Sequence, residues 1–193
     1  MQTLRTLILA AIAVILFSFS AAPTRWNFDV YHSKLGFSIT HLMVTDVEGS
    51  FKIKEASIVA PRDNDFTDAV VTLVADINSV QTDNEQRDAE LKKPDIFHAE
   101  QYPTLTFKST SFKKTGERKY LVTGDLTLKG VTKPVTLEAV ARLGANPMNN
   151  KPIAGFKVSG TIKRTDFGIA SQTPSALLSD EVAITANLEF TKE

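Results

Sequence analysis

Val182-Ala183-Ile184-Thr185-Ala186-Asn187-Leu188-Glu189-Phe190 is the stretch that decides the fold. Val182, Ile184, Ala186, Leu188 and Phe190 share one parity, and Thr185, Asn187 and Glu189 share the other. Successive side chains of a strand point to opposite faces, so this period of two marks a strand with one buried face. Working back along the chain, the same pattern recurs. Val135, Leu137, Ala139, Ala141 and Leu143 alternate with Thr136, Glu138 and Arg142. Val122, Leu126 and Leu128 oppose Thr123, Asp125 and Thr127. Val71, Leu73, Ala75 and Ile77 form a further set, and Leu35, Phe37 and Ile39 the first.

Turn signals separate these runs: Pro61 to Asp65, Thr115-Gly116, Lys129-Gly130 and the longer loop Asn146 to Pro152. Eight strands are predicted, over 35–42, 46–60, 67–80, 103–113, 118–128, 133–144, 153–165 and 181–191. One segment breaks the alternation. Thr82 to Lys93 is rich in helix formers, Thr82 and Glu85 stand at capping-box spacing, and Pro94 follows as a stop. A short helix is therefore expected between strands 3 and 4, covering an open end of the sheet.

Strands this long would leave wide edges in a flat sandwich, whereas closing eight of them into a barrel removes the edges. The expected fold is all-β: an eight-stranded antiparallel barrel, soluble, with polar residues outside and apolar ones inside. The inward set comprises Leu35, Phe37, Ile39, Phe51, Leu73, Phe107, Leu126, Leu137 and Phe156, with Phe167 near a lid. Periodicity leaves two readings of that set open. The side chains either fill the lumen or line a space for one small ligand.

The wider composition narrows the function. Lys plus Arg and Asp plus Glu both total 22, so no basic excess points to nucleic acid or to an anionic membrane surface. The chain has no cysteine, which excludes disulfides, thiolate metal sites, a thiol nucleophile and a thioether-linked lipid anchor. Arg5, the apolar run Leu7 to Phe17 and the small residues Ser18 to Ala22 have the layout of a secretory signal peptide. Cleavage is expected between 20 and 23, which leaves 23–193 as one barrel domain in the periplasm. The apolar run is shorter than the ~20 residues of a spanning helix.

Several motifs add a resemblance. Trp26 to Leu42, with Asp29, His32-Ser33, Phe37 and His41-Leu42, resembles the opening of the YceI-like family. Arg87-Asp88 with Leu91, Asp95, Phe97 and Tyr102-Pro103 is similar to its middle motif, and Thr106 to Thr110 follows in place. Gly124 to Val135 resembles its most recognisable signature, and Arg164 to Ile169 its late motif. The resemblance implies a lipocalin-like barrel, exported to the periplasm, that binds a polyisoprenoid or another long-chain amphiphile. It leaves room for transient membrane contact and for either a monomer or a homodimer. Two positions depart from the family pattern. Val30 stands where proline is common, and Ala89-Glu90 replaces a pair in which histidine is common at the second position. No head-group role of that histidine carries over, and Glu90 would repel a nearby pyrophosphate.

Catalytic signatures are missing. The histidines His32, His41 and His98 fit no zinc spacing and no HExxH helix. They are expected to bond locally, His32 and His41 at either end of the first strand and His98 in an exposed loop. No G-x-S-x-G elbow or P-loop occurs, and Asp166-Phe167-Gly168 lacks every other kinase part. No cofactor, metal or catalytic residue is expected. Arg87 has two readings: it meets a polar head group at the barrel mouth, or it pairs with a carboxylate that pins the helix to the rim. Arg164 and Asp166 share a parity and raise the same question. Lys113, Lys114, Arg118 and Lys119 read as a solvated hairpin tip. The function expected is sequestration of a lipid for storage or transport. The rivals are an enzyme acting on a lipid-like substrate, and an interaction module with a filled core.

Overall fold

Alternating strands with one apolar face must put that face somewhere dry, and here they do so by closing on themselves. The computed structural model describes residues 22–193; the predicted leader, Ala22 apart, lies outside the described residues. Its strands are β1 (Thr24–His41), β2 (Thr45–Ala60), β3 (Val70–Gln81), β4 (Thr104–Gly116), β5 (Lys119–Leu128), β6 (Val131–Ala145), β7 (Pro152–Lys163) and β8 (Leu178–Lys192). Each pairs antiparallel with its sequence neighbour, and β8 closes on β1. The closing seam runs from Trp26 opposite Lys192 to His41 opposite Leu178. The expected eight-stranded barrel is therefore the fold, with a helix, α1 (Glu85–Leu91), between β3 and β4. Lys108, Asp125, Glu138 and Lys157 are exposed on the outer face, the reverse of a membrane barrel.

Bulges explain where the strands differ from expectation. β1 starts at Thr24 rather than 35, because its register shifts between Asp29 and Lys34. The shift moves the inward parity from Trp26 and Phe28 to Leu35, Phe37 and Ile39, so no single alternation spans the strand. Asp29 holds the bulge. Its Oδ1 accepts the backbone N–H of Tyr31 at 2.8 Å and of His32 at 3.2 Å, and its Oδ2 lies 2.8 Å from His32 Nδ1. That last bond raises the His32 pKa and lowers that of Asp29. His32 thus sits inside β1 and not at its start. Further shifts between Ile53 and Glu55 and between Ser109 and Ser111 carry the inward face from Ile53 to Ile58, and from Phe107 to Phe112.

The helix is shorter than 82–93, and Thr82 does not cap it. Asp83 has a left-handed backbone, φ 57°, so no helix can run through it. The cap is Asn84, whose side chain accepts the Arg87 N–H at 2.9 Å. The seventh strand also stops early, at Lys163. Arg164–Phe167 coil into a 3-10 turn that ends on Gly168 at φ 65°, a conformation glycine adopts without strain.

The two ends of the barrel differ. At the end where β1 begins, Phe66 folds in from the β2–β3 loop and is fully buried. Its ring lies 5.5 Å from Trp26, 4.8 Å from Phe156 and 6.3 Å from Tyr120. Phe112 and Phe190 extend the cluster, each packed on Phe156. This plug seals one end with apolar area and edge-to-face ring contacts. Asp65 anchors its loop. The carboxylate accepts from the Thr67 hydroxyl and N–H, and from Tyr120 Oη at 3.3 Å, which together hold its pKa below the usual value. Truncating the centre of the plug should be expensive. Phe66→Ala is expected to lower stability by about 3–5 kcal/mol, measured as a lower urea midpoint at unchanged slope.

Candidate functional site

The lumen is not filled by its own side chains. It encloses a cavity of about 360 Å³, within the usual range for small-molecule sites. Leu35, Phe37, Ile39, Phe51, Leu73, Phe107, Leu126, Leu137 and Phe156, predicted to point inward, all line it. Phe167 does not. It is buried, but on the 3-10 turn outside the lining, because the strand that would have aimed it inward ends at Lys163. Sequence parity missed several lining residues, among them Ile58 and Phe112 beyond bulges, and Leu91, Ile96 and Phe97 in and after α1.

Glycines keep this space open. Gly49 lies directly opposite Phe37, and a Cβ there would overlap the Phe37 ring and approach Thr82 Cγ2 to 2.8 Å. A Cβ at Gly124 would stand 2.5 Å from Phe107 Cζ, and one at Gly160 would stand 2.5 Å from Leu137 Cδ2. In each case a large side chain lies flat across a bare stretch of wall rather than projecting into the bore. The cavity volume therefore depends as much on where side chains are missing as on the apolar residues themselves.

Polar groups in the lining gather at the α1 end: His41, Thr82, Arg87 and Arg164. Burial grades the same way. Ile58, Phe112 and Phe156 are buried beside the plug, whereas Phe37, Ile39, Val47 and Leu178 are half-exposed. Arg87 fits neither sequence reading in full. Its partner is not a carboxylate: Nε donates to Thr82 Oγ1 at 2.8 Å and Nη2 to the Thr82 carbonyl at 2.7 Å. Thr82 in turn donates its N–H and hydroxyl to Asp88 Oδ1, at 2.8 and 2.6 Å. This chain fixes α1 to the end of β3 and leaves the Arg87 charge in the cavity wall. Glu90 is outside the lining and ion-paired with Lys93 at 2.6 Å.

Arg164 has a different role. It is 2% exposed and donates to the carbonyls of Ile169, Ala170, Thr173, Leu178 and Ser179, with Asp180 2.9 Å from Nη2. Asp166, the partner suggested by parity, is exposed. Arg164 therefore organises the connection from the 3-10 turn to β8 across the barrel end. Lys129 fastens it from the other side, bonding the carbonyls of Asp95 at 3.1 Å and Gly168 at 2.8 Å. Burial lowers the Lys129 pKa.

The remaining candidates lie away from the cavity. His98 is half-buried, its ring edge-on to Tyr102 at 5.6 Å. Lys113, Lys114, Arg118 and Lys119 are exposed at the β4–β5 tip, on the plugged end. The bulge places His32, Asp29 and Glu189 with ligand atoms within 4.8 Å of one another, a grouping the histidine spacing did not foretell. Asp29 Oδ1 there already accepts two backbone N–H groups.

A closed antiparallel barrel around an apolar bore, polar only at one end, defines a ligand-enclosing β-barrel. The chain belongs to the YceI-like domain family, whose model matches residues 26–190. A UPF0312 protein of Staphylococcus epidermidis is 37% identical over 172 residues, covering 86% of this chain and 97% of that protein. Among solved structures, the Campylobacter jejuni YceI protein is 32% identical with a TM-score of 0.70, over 80% of this chain and 90% of that one. BcnA of Burkholderia cenocepacia is 25% identical with a TM-score of 0.74, over 84% and 99%. A polyisoprenoid-binding domain from Saccharophagus degradans, 19% identical over 87% and 98% of the two chains, has the same fold at a TM-score of 0.63.

Adding one methyl group to the bare wall should narrow the bore. Gly49→Ala is expected to push the Phe37 ring inward while leaving the barrel folded. Binding of an apolar fluorophore such as Nile red should then weaken by roughly 4-fold, about 0.8 kcal/mol, for each methylene-sized portion of the dye that the ring keeps in water. Fluorescence titration beside an unchanged far-ultraviolet circular dichroism spectrum checks it.

Proposed function

We propose that this protein is exported to the periplasm on its N-terminal leader and there binds a long-chain amphiphile. The candidates are a polyisoprenoid, an isoprenoid quinone or a fatty-acid-like lipid, held for storage or transport. The observation that carries the reading is the apolar cavity, open in volume and polar only at the α1 end. Such a site suits a molecule with one polar terminus and a water-insoluble body. The solved fold-mate described as a polyisoprenoid-binding domain points the same way.

The mechanism is burial. Each methylene removed from water contributes about 0.8 kcal/mol, so a long chain gains affinity without any directional contact. Arg87 is the group placed to meet the polar terminus, since its charge has no carboxylate partner among the described ion pairs. A binding role is favoured over catalysis by the lining itself. Its one hydroxyl, on Thr82, is already engaged, donating to Asp88 and accepting from Arg87 in the chain of bonds that ties α1 to β3. The ligand-binding set is then Leu35, Phe37, Ile39, Phe51, Leu73, Phe107, Leu126, Leu137 and Phe156, with Arg87 at the head group.

Native mass spectrometry of the mature protein, purified from an exporting host without detergent, tests this. The expected result is a discrete added mass that solvent extraction recovers as a long-chain lipid. A clean apo mass, together with failure to take up added prenyl alcohols or quinones, would overturn the proposal.

A further inference from the structure

The β1–β2 hairpin turns through Leu42 and Met43, which are 50% and 61% exposed, and is followed by Val44 at 84%. Both turn residues have left-handed backbones, φ 52° and 58°, and the Val44 N–H closes the turn on the His41 carbonyl at 3.1 Å. Two adjacent positive φ values define the turn type that favours Asn-Gly, because larger side chains are strained there. The β5–β6 turn of this same barrel, Lys129-Gly130, places a lysine and a glycine at the equivalent positions. Here a strained turn instead presents two large apolar side chains to water.

Leu177, 48% exposed, joins the tip: its carbonyl accepts the Leu42 N–H at 2.9 Å. The patch continues into the cavity. His41 and Leu178, the chain neighbours of Leu42 and Leu177, both belong to the cavity lining. The segments that build it carry no formal charge: neither 35–45 nor 167–179 contains Asp, Glu, Lys or Arg. At the plugged end, by contrast, the β4–β5 tip carries Glu117, Arg118 and Lys119.

We infer that the Leu42–Val44 tip and Leu177 form a docking surface for a lipid bilayer, which seats the α1 end of the barrel on the membrane so that ligand passes between bilayer and lumen. The inference rests on the lipid-binding reading above. A water-insoluble chain has to leave one apolar phase for another, and this patch is the apolar surface that adjoins the cavity. Because the patch is uncharged, its attachment is hydrophobic and insensitive to salt, unlike polybasic docking.

The test uses the mature protein and a Leu42→Asn, Met43→Gly, Val44→Ser variant, whose turn residues suit the backbone and which should fold at least as stably. None of these residues lines the cavity. Flotation with vesicles of phosphatidylcholine and phosphatidylethanolamine should carry the unsubstituted protein, at low and high salt alike. The variant should float at least 10-fold less and take up Nile red from preloaded vesicles at least 10-fold more slowly. Its affinity for Nile red added from ethanol should be unchanged. Equal flotation of the two proteins, or none by the unsubstituted one, would overturn the inference. So would a dimer in sedimentation that the variant alone loses, since the patch would then be covered by a second copy. Nile red added from ethanol separates the two claims: failure to bind it would count against the lumen site, while flotation still reports on docking.

Discussion

Closure of β8 on β1 is the constraint on which the rest depends. An open sheet of this sequence would expose two long edges and one whole apolar face. The seam from Trp26–Lys192 to His41–Leu178 removes both edges at once and turns that face into a lumen. Once the seam is fixed, the parity of every strand is fixed with it, because a slip of one residue would turn apolar side chains to water. The bulges serve closure. They let β1, β2 and β4 bend and change parity midway, so that Trp26 and Phe28 point into the barrel as Leu35 and Phe37 do.

The lumen could still have been solid. What keeps it open is a division of labour along its axis. Aromatic rings are concentrated in the plug around Phe66, where they reach across the barrel and fill it. Above the plug, Phe37, Phe107 and Leu137 lie against glycines and leave the centre free. At the other end Arg164 and Lys129 pair the backbone carbonyls of Gly168, Ile169, Thr173 and Leu178, where irregular chain crosses the barrel end. The stability cost of the empty bore is offset by the sealed end and the closed sheet.

Much of this was legible in the sequence. Alternation in Val182 to Phe190 and in Val71 to Ile77 carried through to the structure, because the extra residues that these strands themselves carry fall near their ends, beyond Asp76 in β3 and before Val182 in β8. The helix was legible as an interruption, but its start was not: the left-handed backbone of Asp83 is a conformation that residue spacing does not report. β1 was half legible, since a bulge erases the single parity by which a strand is recognised. The inward face was legible on the stretches of strand between bulges, and Ile58 and Phe112 were missed because they lie beyond parity shifts. Phe167 was misplaced because the strand end at Lys163 leaves no alternation to follow. Whether the lumen was filled could not be read at all, because it depends on a few side-chain rotations against glycines. The role of Arg164 was likewise hidden, since its partners are backbone carbonyls brought in by a loop.

If ligand binding is burial of an apolar chain in this lumen, affinity must follow chain length. Isothermal titration of the delipidated protein with prenyl alcohols, or with fatty acids of increasing length, reads affinity against the number of carbons. Burial predicts an increase of roughly 4-fold per added methylene, about 0.8 kcal/mol each, until the bore is full and a plateau follows. Affinity that is flat across the series would contradict it and place recognition in the head group alone.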